Sequence, residues 1–234
     1  MAATLPRYRS LAFGVTRGHM REGAGGVRYL RAEQELQPCA GRMTDRLLHW
    51  AETAPDRTFM ARRERLADGS TGDWVRVSYA QALEAARSIA QALLDRGLSA
   101  ERPVAILSEN AIEHALLALG CMVAGIPWCP VSPAYSTISQ DYDKLRHVLR
   151  TLTPGLVFAA DAARYGKAIQ AAVPDDVEVV LGDGDLTGRP TTRWAALLDT
   201  PATPAVDAAM QATGPDTIVK FLFTSGSTKL PKAV

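Results

Sequence analysis

The sequence predicts an α/β fold in which layered sheets carry helices on their flanks. Three observations predict it. Short, largely apolar runs at residues 103–107, 156–159 and 177–181 read as strands, the first of the kind buried on both faces. Stretches with apolar residues at helical spacing lie between them. The alternation of strand, helix and strand is that of a parallel sheet covered by helices.

The elements follow in order. Residues 12–15 and 27–30 flank Gly23-Ala24-Gly25-Gly26, which reads as two strands and a turn, a hairpin within an N-terminal extension over residues 1–43. The first 31 residues hold six arginines against one acid, Glu22, which is also how a mitochondrial transit peptide reads, but no helical apolar stripe accompanies them. Thr44 is placed to cap a helix over residues 45–51 that Pro55 ends. Residues 58–61 and 74–77 form a strand pair around the turn Asp68-Gly69-Ser70-Thr71-Gly72.

Ser78 and Gln81 have the spacing of a capping box, opening a helix with Leu83, Ala86, Ile89, Ala90, Leu93 and Leu94 on one face and Gly97 at its stop. After the strand at 103–107, Asn110 and Glu113 are expected to cap a helix that runs to Gly125. Residues 126–131 form a strand that two prolines confine to an edge. Leu145, Val148, Leu149 and Leu152 share a helix face ahead of the strand at 156–159. A helix over 162–173 leads to the strand at 177–181, and residues 194–198 are a short helix. Residues 200–215, with three prolines among Ala and Thr, read as a surface linker, and residues 218–223 as a closing strand.

Composition narrows the function. The chain has 234 residues, 47% hydrophobic and 22% charged, enough for one large or two small domains with a core. A net charge of +1 gives no reason to expect nucleic acid or an anionic membrane as partner, and no apolar run reaches the length of a membrane span. Cys39, Cys121 and Cys129 lack metal-ligand or disulfide spacing and suit thiols in a reducing cytoplasm. His19, His49, His114 and His147 are scattered, so no metal site is expected. Gly182-Asp183-Gly184-Asp185 lacks the remaining ligand positions of a calcium loop and reads as a turn.

The most informative segment is the last, Thr224-Ser225-Gly226-Ser227-Thr228-Lys229-Leu230-Pro231-Lys232-Ala233-Val234. Backbone N–H groups near a glycine, several hydroxyls and lysine ammonium groups together suit a polyphosphate. The common phosphate loop is a poor match, because neither Lys229 nor Lys232 is followed by Ser or Thr. The plain alternative is a surface turn with two solvated lysines.

This segment resembles the phosphate-binding signature of the adenylate-forming enzymes: the acyl-CoA synthetases, luciferases and peptide-synthetase adenylation domains. It matches at Thr224, Ser225, Gly226, Ser227, Thr228, Pro231 and Lys232, and departs at Lys229, where most of the family has glycine. Lysine there, with Ala233-Val234 following Lys232, is similar to bacterial feruloyl-CoA synthetases. Arg102 to Asn110, Glu113, Leu119-Gly120, Ala124-Gly125 and Pro130-Val131-Ser132-Pro133 follow the order of the family's N-terminal half. Leu47 to Ala51 with Ala54-Pro55-Asp56-Arg57 also resembles the feruloyl-CoA synthetase branch.

The resemblance implies that residues 44–234 are the N-terminal part of an AMP-binding adenylation domain, incomplete at its C-terminal end. It implies a two-step ligase: ATP, with Mg, activates an aromatic, ferulate-like carboxylate as an acyl-adenylate, and the thiol of coenzyme A displaces AMP. Thr224, Ser225, Gly226, Ser227, Thr228, Lys229 and Lys232 would hold the ATP phosphates. Lys229 would add a second charge or stiffen the loop. The family's magnesium-binding and catalytic residues lie downstream of this loop, so the isolated chain is expected to be inactive. Uncovered strand edges are expected to make it aggregate or bind hydrophobic dyes. The alternatives are a non-catalytic fragment that binds nucleotide or needs a partner chain, and a fatty acyl-CoA ligase or other adenylating enzyme.

Overall fold

A computed structural model of the protein describes residues 17–66, 68–224 and 230–234. The chain divides into two compact units, residues 1–39 and 40–234. In the first, β1 (Gly18–Glu22) pairs antiparallel with β2 (Arg28–Ala32). A 3-10 turn at Ala24–Gly26 joins them, where Gly25 and Gly26 take φ of 70° and 77°, a region costly for any residue with a Cβ. The expected turn and second strand are there. The strand facing them is β1; the expected one at 12–15 lies outside the described residues. The register sets Met20 opposite Leu30 on one face and Arg21 opposite Tyr29 on the other, with the Arg21 guanidinium 4.9 Å from the Tyr29 ring centre.

The second unit opens with α1 (Asp45–Thr53). Thr44 holds the cap position, but its side chain makes no cap bond; the Asp45 carboxylate accepts from the Arg42 N–H instead, at 3.0 Å. The strand pair is longer than expected, β3 (Thr58–Arg65) against β4 (Thr71–Ser78). Ser78 and Gln81 form the reciprocal capping box at the start of α2 (Tyr79–Asp95).

Five parallel strands form the central sheet: β5 (Val104–Leu107), β6 (Trp128–Pro130), β7 (Leu156–Ala159), β8 (Glu178–Leu181) and β9 (Thr192–Arg193). Their spatial order is β6-β5-β7-β8-β9, which leaves the proline-bearing β6 at an edge, as its composition requires. The short β9 had no pattern that announced it.

Alternate residues of the strands feed two apolar layers. Val104, Ile106, Leu156, Phe158 and Val180 pack with α2, α3 (Ile112–Ala124) and α7 (Trp194–Leu198). Ala105, Leu107, Val157, Ala159, Val179 and Leu181 pack with α5 (Asp143–Leu152) and α6 (Ala162–Ala172). A short α4 (Ala134–Thr137) precedes α5.

Three expectations need correcting. The Asn110 cap is not made: Ala111 is the N-cap of α3 and no side chain caps it. At the other end the left-handed Gly125, with φ of 69°, does close the helix. The linker over 200–215 contains α8 (Pro204–Ala212), capped by the Thr203 hydroxyl and started by Pro204. Val206 is fully buried, and Arg87 of α2 makes two hydrogen bonds to Asp207. The closing strand at 218–223 is, for most of its length, extended chain joined to β6 by one parallel bridge, Lys220 to Trp128.

The cysteines differ sharply. Cys39 is exposed, whereas Cys121 and Cys129 are buried. Burial pushes the Cys129 thiol up to about 12 and raises the Cys121 thiol as well. One thiol is therefore expected to react rapidly with a disulfide reagent at pH 8 in the native protein, and three after denaturation. Rapid native reaction of two or three would contradict this burial.

Candidate functional site

The candidate site is assembled where the chain passes β6 for the second time. The Trp128 N–H donates to the Val219 carbonyl at 3.2 Å, and the Phe221 N–H donates to the Trp128 carbonyl at 2.9 Å. This register turns Phe221 and Phe223 towards the apolar layer under α5 and leaves Leu222 and Thr224 exposed. The Lys220 ammonium lies 5.8 Å from the centre of the Trp128 ring.

A small hairpin follows. β10 (Phe223–Thr224) pairs antiparallel with β11 (Lys232–Ala233), with Phe223 opposite Ala233 and Thr224 opposite Lys232. Leu222 and Val234 exchange both backbone hydrogen bonds, each 2.8 Å. Directly opposed residues share a face of the ladder, so Thr224 and Lys232 stand side by side on its exposed side. Pro231, next to Lys232, is buried, and its carbonyl accepts a 2.8 Å bond from His147 Nε2 on α5.

Of the seven residues expected to bind phosphate, the fold thus brings Thr224 and Lys232 together at the two ends of the loop. Ser225, Gly226, Ser227, Thr228 and Lys229 lie outside the described residues. A hydroxyl and an ammonium side by side offer hydrogen-bond donors and positive charge, the chemistry that phosphate oxygens accept. Among the described residues, no three His, Cys, Asp or Glu side chains are grouped to hold a metal ion.

A second polar group sits at the carboxyl ends of β5 and β7, where the sheet order reverses direction, the usual place for a crevice in such sheets. There Arg164 donates two bonds to the Glu109 carboxylate, at 2.8 and 3.0 Å. These bonds hold the Glu109 carboxyl below its ordinary range and raise Arg164. His114 Nδ1 donates to the Glu109 carbonyl at 3.2 Å; burial lowers its basicity, and that bond partly offsets the effect. Neither His114 nor His147 was singled out by sequence reasoning, because the partners of both are backbone carbonyls. For His147 the partner lies 84 residues away, and no local pattern could have flagged it.

Residues 47–234 match the model of the AMP-binding enzyme family. The chain belongs to that family. Among curated relatives of this AMP-binding enzyme chain is the phosphinothricin tripeptide synthetase PhsC of Streptomyces viridochromogenes. It is 30% identical over 68% of this chain and 13% of its own length. A methyl-dioxo-octahydro-indenyl propanoyl:CoA ligase of Rhodococcus jostii is 30% identical over 78% of this chain and 37% of its own length. A salicylyl-CoA synthase / salicylate adenylyltransferase of a Streptomyces species is 29% identical over 83% and 34%. The chain therefore spans little more than a third of these proteins at most.

Among solved structures, the acetoacetyl-CoA synthetase of Streptomyces lividans superposes with a TM-score of 0.65 at 18% identity, over 82% of this chain and 29% of that one. The α/β layer with its parallel sheet is the architecture of the N-terminal domain of adenylate-forming enzymes.

Proposed function

We propose that this chain supplies the ATP-phosphate-binding portion of an acid–CoA ligase that adenylates an aromatic, hydroxycinnamate-like carboxylate. The acyl group then passes to the thiol of coenzyme A. Residues 44–234 are the N-terminal part of the adenylation domain, and residues 1–43 are an extension ahead of it. The observation that carries the reading is the hairpin register that sets Thr224 against Lys232 at the two ends of the loop.

The chemistry asks little of a general base. The carboxylate attacks the α-phosphorus in line and pyrophosphate leaves, a step catalysed by positioning and by stabilising charge on phosphate oxygens. Lys232 meets that charge, and Thr224 with Ser225, Ser227 and Thr228 donates hydroxyl bonds. Gly226 lets the backbone approach, and Lys229 adds a second cation. Magnesium enters with ATP as part of the substrate.

The aromatic acid rests on Lys229 with the Ala233-Val234 pair, and on likeness to the relative named as salicylyl-CoA synthase / salicylate adenylyltransferase. A second reading, a peptide-synthetase adenylation domain, is favoured by the match to PhsC. In a complete enzyme, with the downstream catalytic part present, ATP–pyrophosphate exchange with ferulate, octanoate and the proteinogenic amino acids separates them: ferulate is expected to drive exchange. Exchange driven by an amino acid alone would replace the aromatic reading with the second.

In a complete enzyme, Lys232→Ala is expected to lower kcat/KM for ATP about ten- to hundredfold, the equivalent of one charge-assisted bond of about 1.5–3 kcal/mol. Unchanged ATP kinetics would remove Lys232 from the phosphate site.

A further inference from the structure

The hairpin that holds Thr224 beside Lys232 is short, and a two-stranded ribbon of this size is marginal by itself. Its incoming arm is anchored by Phe221 and Phe223 in the apolar layer under α5. Its outgoing arm has a different anchor. Ala233 and Val234 are exposed, whereas Pro231 is buried and its carbonyl takes a side-chain bond from His147 of α5.

The chemistry of that bond is specific. A carbonyl oxygen only accepts, so His147 Nε2 carries the hydrogen, which in the neutral ring leaves Nδ1 unprotonated. The accepting oxygen belongs to the peptide plane shared by Pro231 and Lys232, and that plane is rigid. Proline also fixes its own φ near −65°. Holding this one oxygen therefore fixes the direction in which the chain enters Lys232. His147 is itself well placed to do so, because α5 is seated by buried Leu145, Val148, Leu149 and Leu152.

We propose that His147 is a positioning residue for the phosphate-binding lysine: through the Pro231 carbonyl it fixes Lys232 opposite Thr224. The proposal rests on the ATP reading above and assigns this site a determinant on another element, 84 residues away.

The test is ATP–pyrophosphate exchange in a complete enzyme, with the downstream catalytic part present, carrying His147→Leu, His147→Gln, Lys232→Ala, or His147→Leu with Lys232→Ala. His147→Leu is expected to lower kcat/KM for ATP about three- to tenfold, the range of one lost neutral hydrogen bond, with KM for the acid unchanged. Glutamine keeps an N–H donor at similar reach and is expected to restore most of the loss. Because the effect passes through Lys232, His147→Leu should add little once Lys232 is alanine.

An equal loss in both lysine backgrounds would overturn the proposal, as would unchanged kinetics in His147→Leu beside an impaired Lys232→Ala. If Lys232→Ala itself leaves ATP kinetics intact, the ATP reading fails, and hydrogen exchange then decides the contact by itself. Faster exchange at the Leu222 and Val234 amides in His147→Leu supports the anchoring; unchanged exchange overturns it.

Discussion

Phe158→Ala is expected to cost the α/β unit about 3–5 kcal/mol of stability, read as a lower urea midpoint with an unchanged slope. Phe158 is fully buried in β7, at the centre of the sheet, where its register neighbours are Ile106 on β5 and Val180 on β8. All three face the layer under α2 and α3. The ring lies 5.2 Å from that of Trp194 at an angle of 58°, so α7 loses its aromatic partner as well. Interior packing is too dense for neighbours to fill the space, and a residual cavity adds to the lost burial. Phe158→Leu keeps most of the volume and should cost less than about 1.5 kcal/mol. Because Phe158 faces away from α5, neither variant should alter KM for ATP in the folded protein. A cost below about 1 kcal/mol for alanine would mean that β7 is less central than its register indicates.

The elements most legible in the sequence were those whose cause is local. The Ser78–Gln81 box is a contact within one helical turn, and it formed as its spacing required. The apolar strands at β5 and β7 were equally plain, because burial on both faces demands side chains that are apolar on both. α8 was hidden for the opposite reason. Its Ala-rich sequence carries no strong stripe, and what fixes it is distant: the Asp207 carboxylate on Arg87, and Thr203 donating from its N–H and hydroxyl to the Gln91 side chain at 2.9 and 2.7 Å. Thr203-Pro204 was the available signal, a cap followed by proline in the first turn. At α3 the error ran the other way. Asn110 stands one position too early, and the cap fell on Ala111.

The site divides along the same line. Thr224 and Lys232 could be listed from the loop's residue types, but their direct opposition is a property of hairpin register. The residues at 218–223 have strand composition, yet β6 accepts them at a single bridge, since Pro127 and Pro130 flank the Trp128 position and proline cannot donate to a ladder. His147 illustrates the limit. A histidine whose work is to hold a backbone oxygen leaves no partner residue type for a motif to reveal.

Gly120 offers the second large effect, and its interest lies in its sign. Alanine in place of glycine inside a helix ordinarily stabilises it by about 1 kcal/mol, because the freer glycine chain loses more entropy on folding. Here the reverse is expected. Gly120 lies in α3 against α2, and a Cβ built on it would fall 2.4 Å from Ile89 Cγ2, 2.7 Å from Ile89 Cβ and 3.3 Å from the Ala86 carbonyl. Ile89 is fully buried and β-branched, so those atoms sit close to its own backbone and cannot swing aside. The helices must separate instead, loosening the packing of Ile89, Leu93 and Leu117. Gly120→Ala is therefore expected to destabilise by about 1–3 kcal/mol despite its better helix propensity, and Gly120→Leu by more. Gly214→Ala supplies the control, since nothing lies within 4 Å of its added Cβ and its φ is not in the left-handed range; it should be neutral or slightly stabilising. Should Gly120→Ala raise the urea midpoint, α2 and α3 would have to be further apart than these distances place them. If both alanines lower it equally, the loss at Gly120 would not be specific to the contact between the two helices.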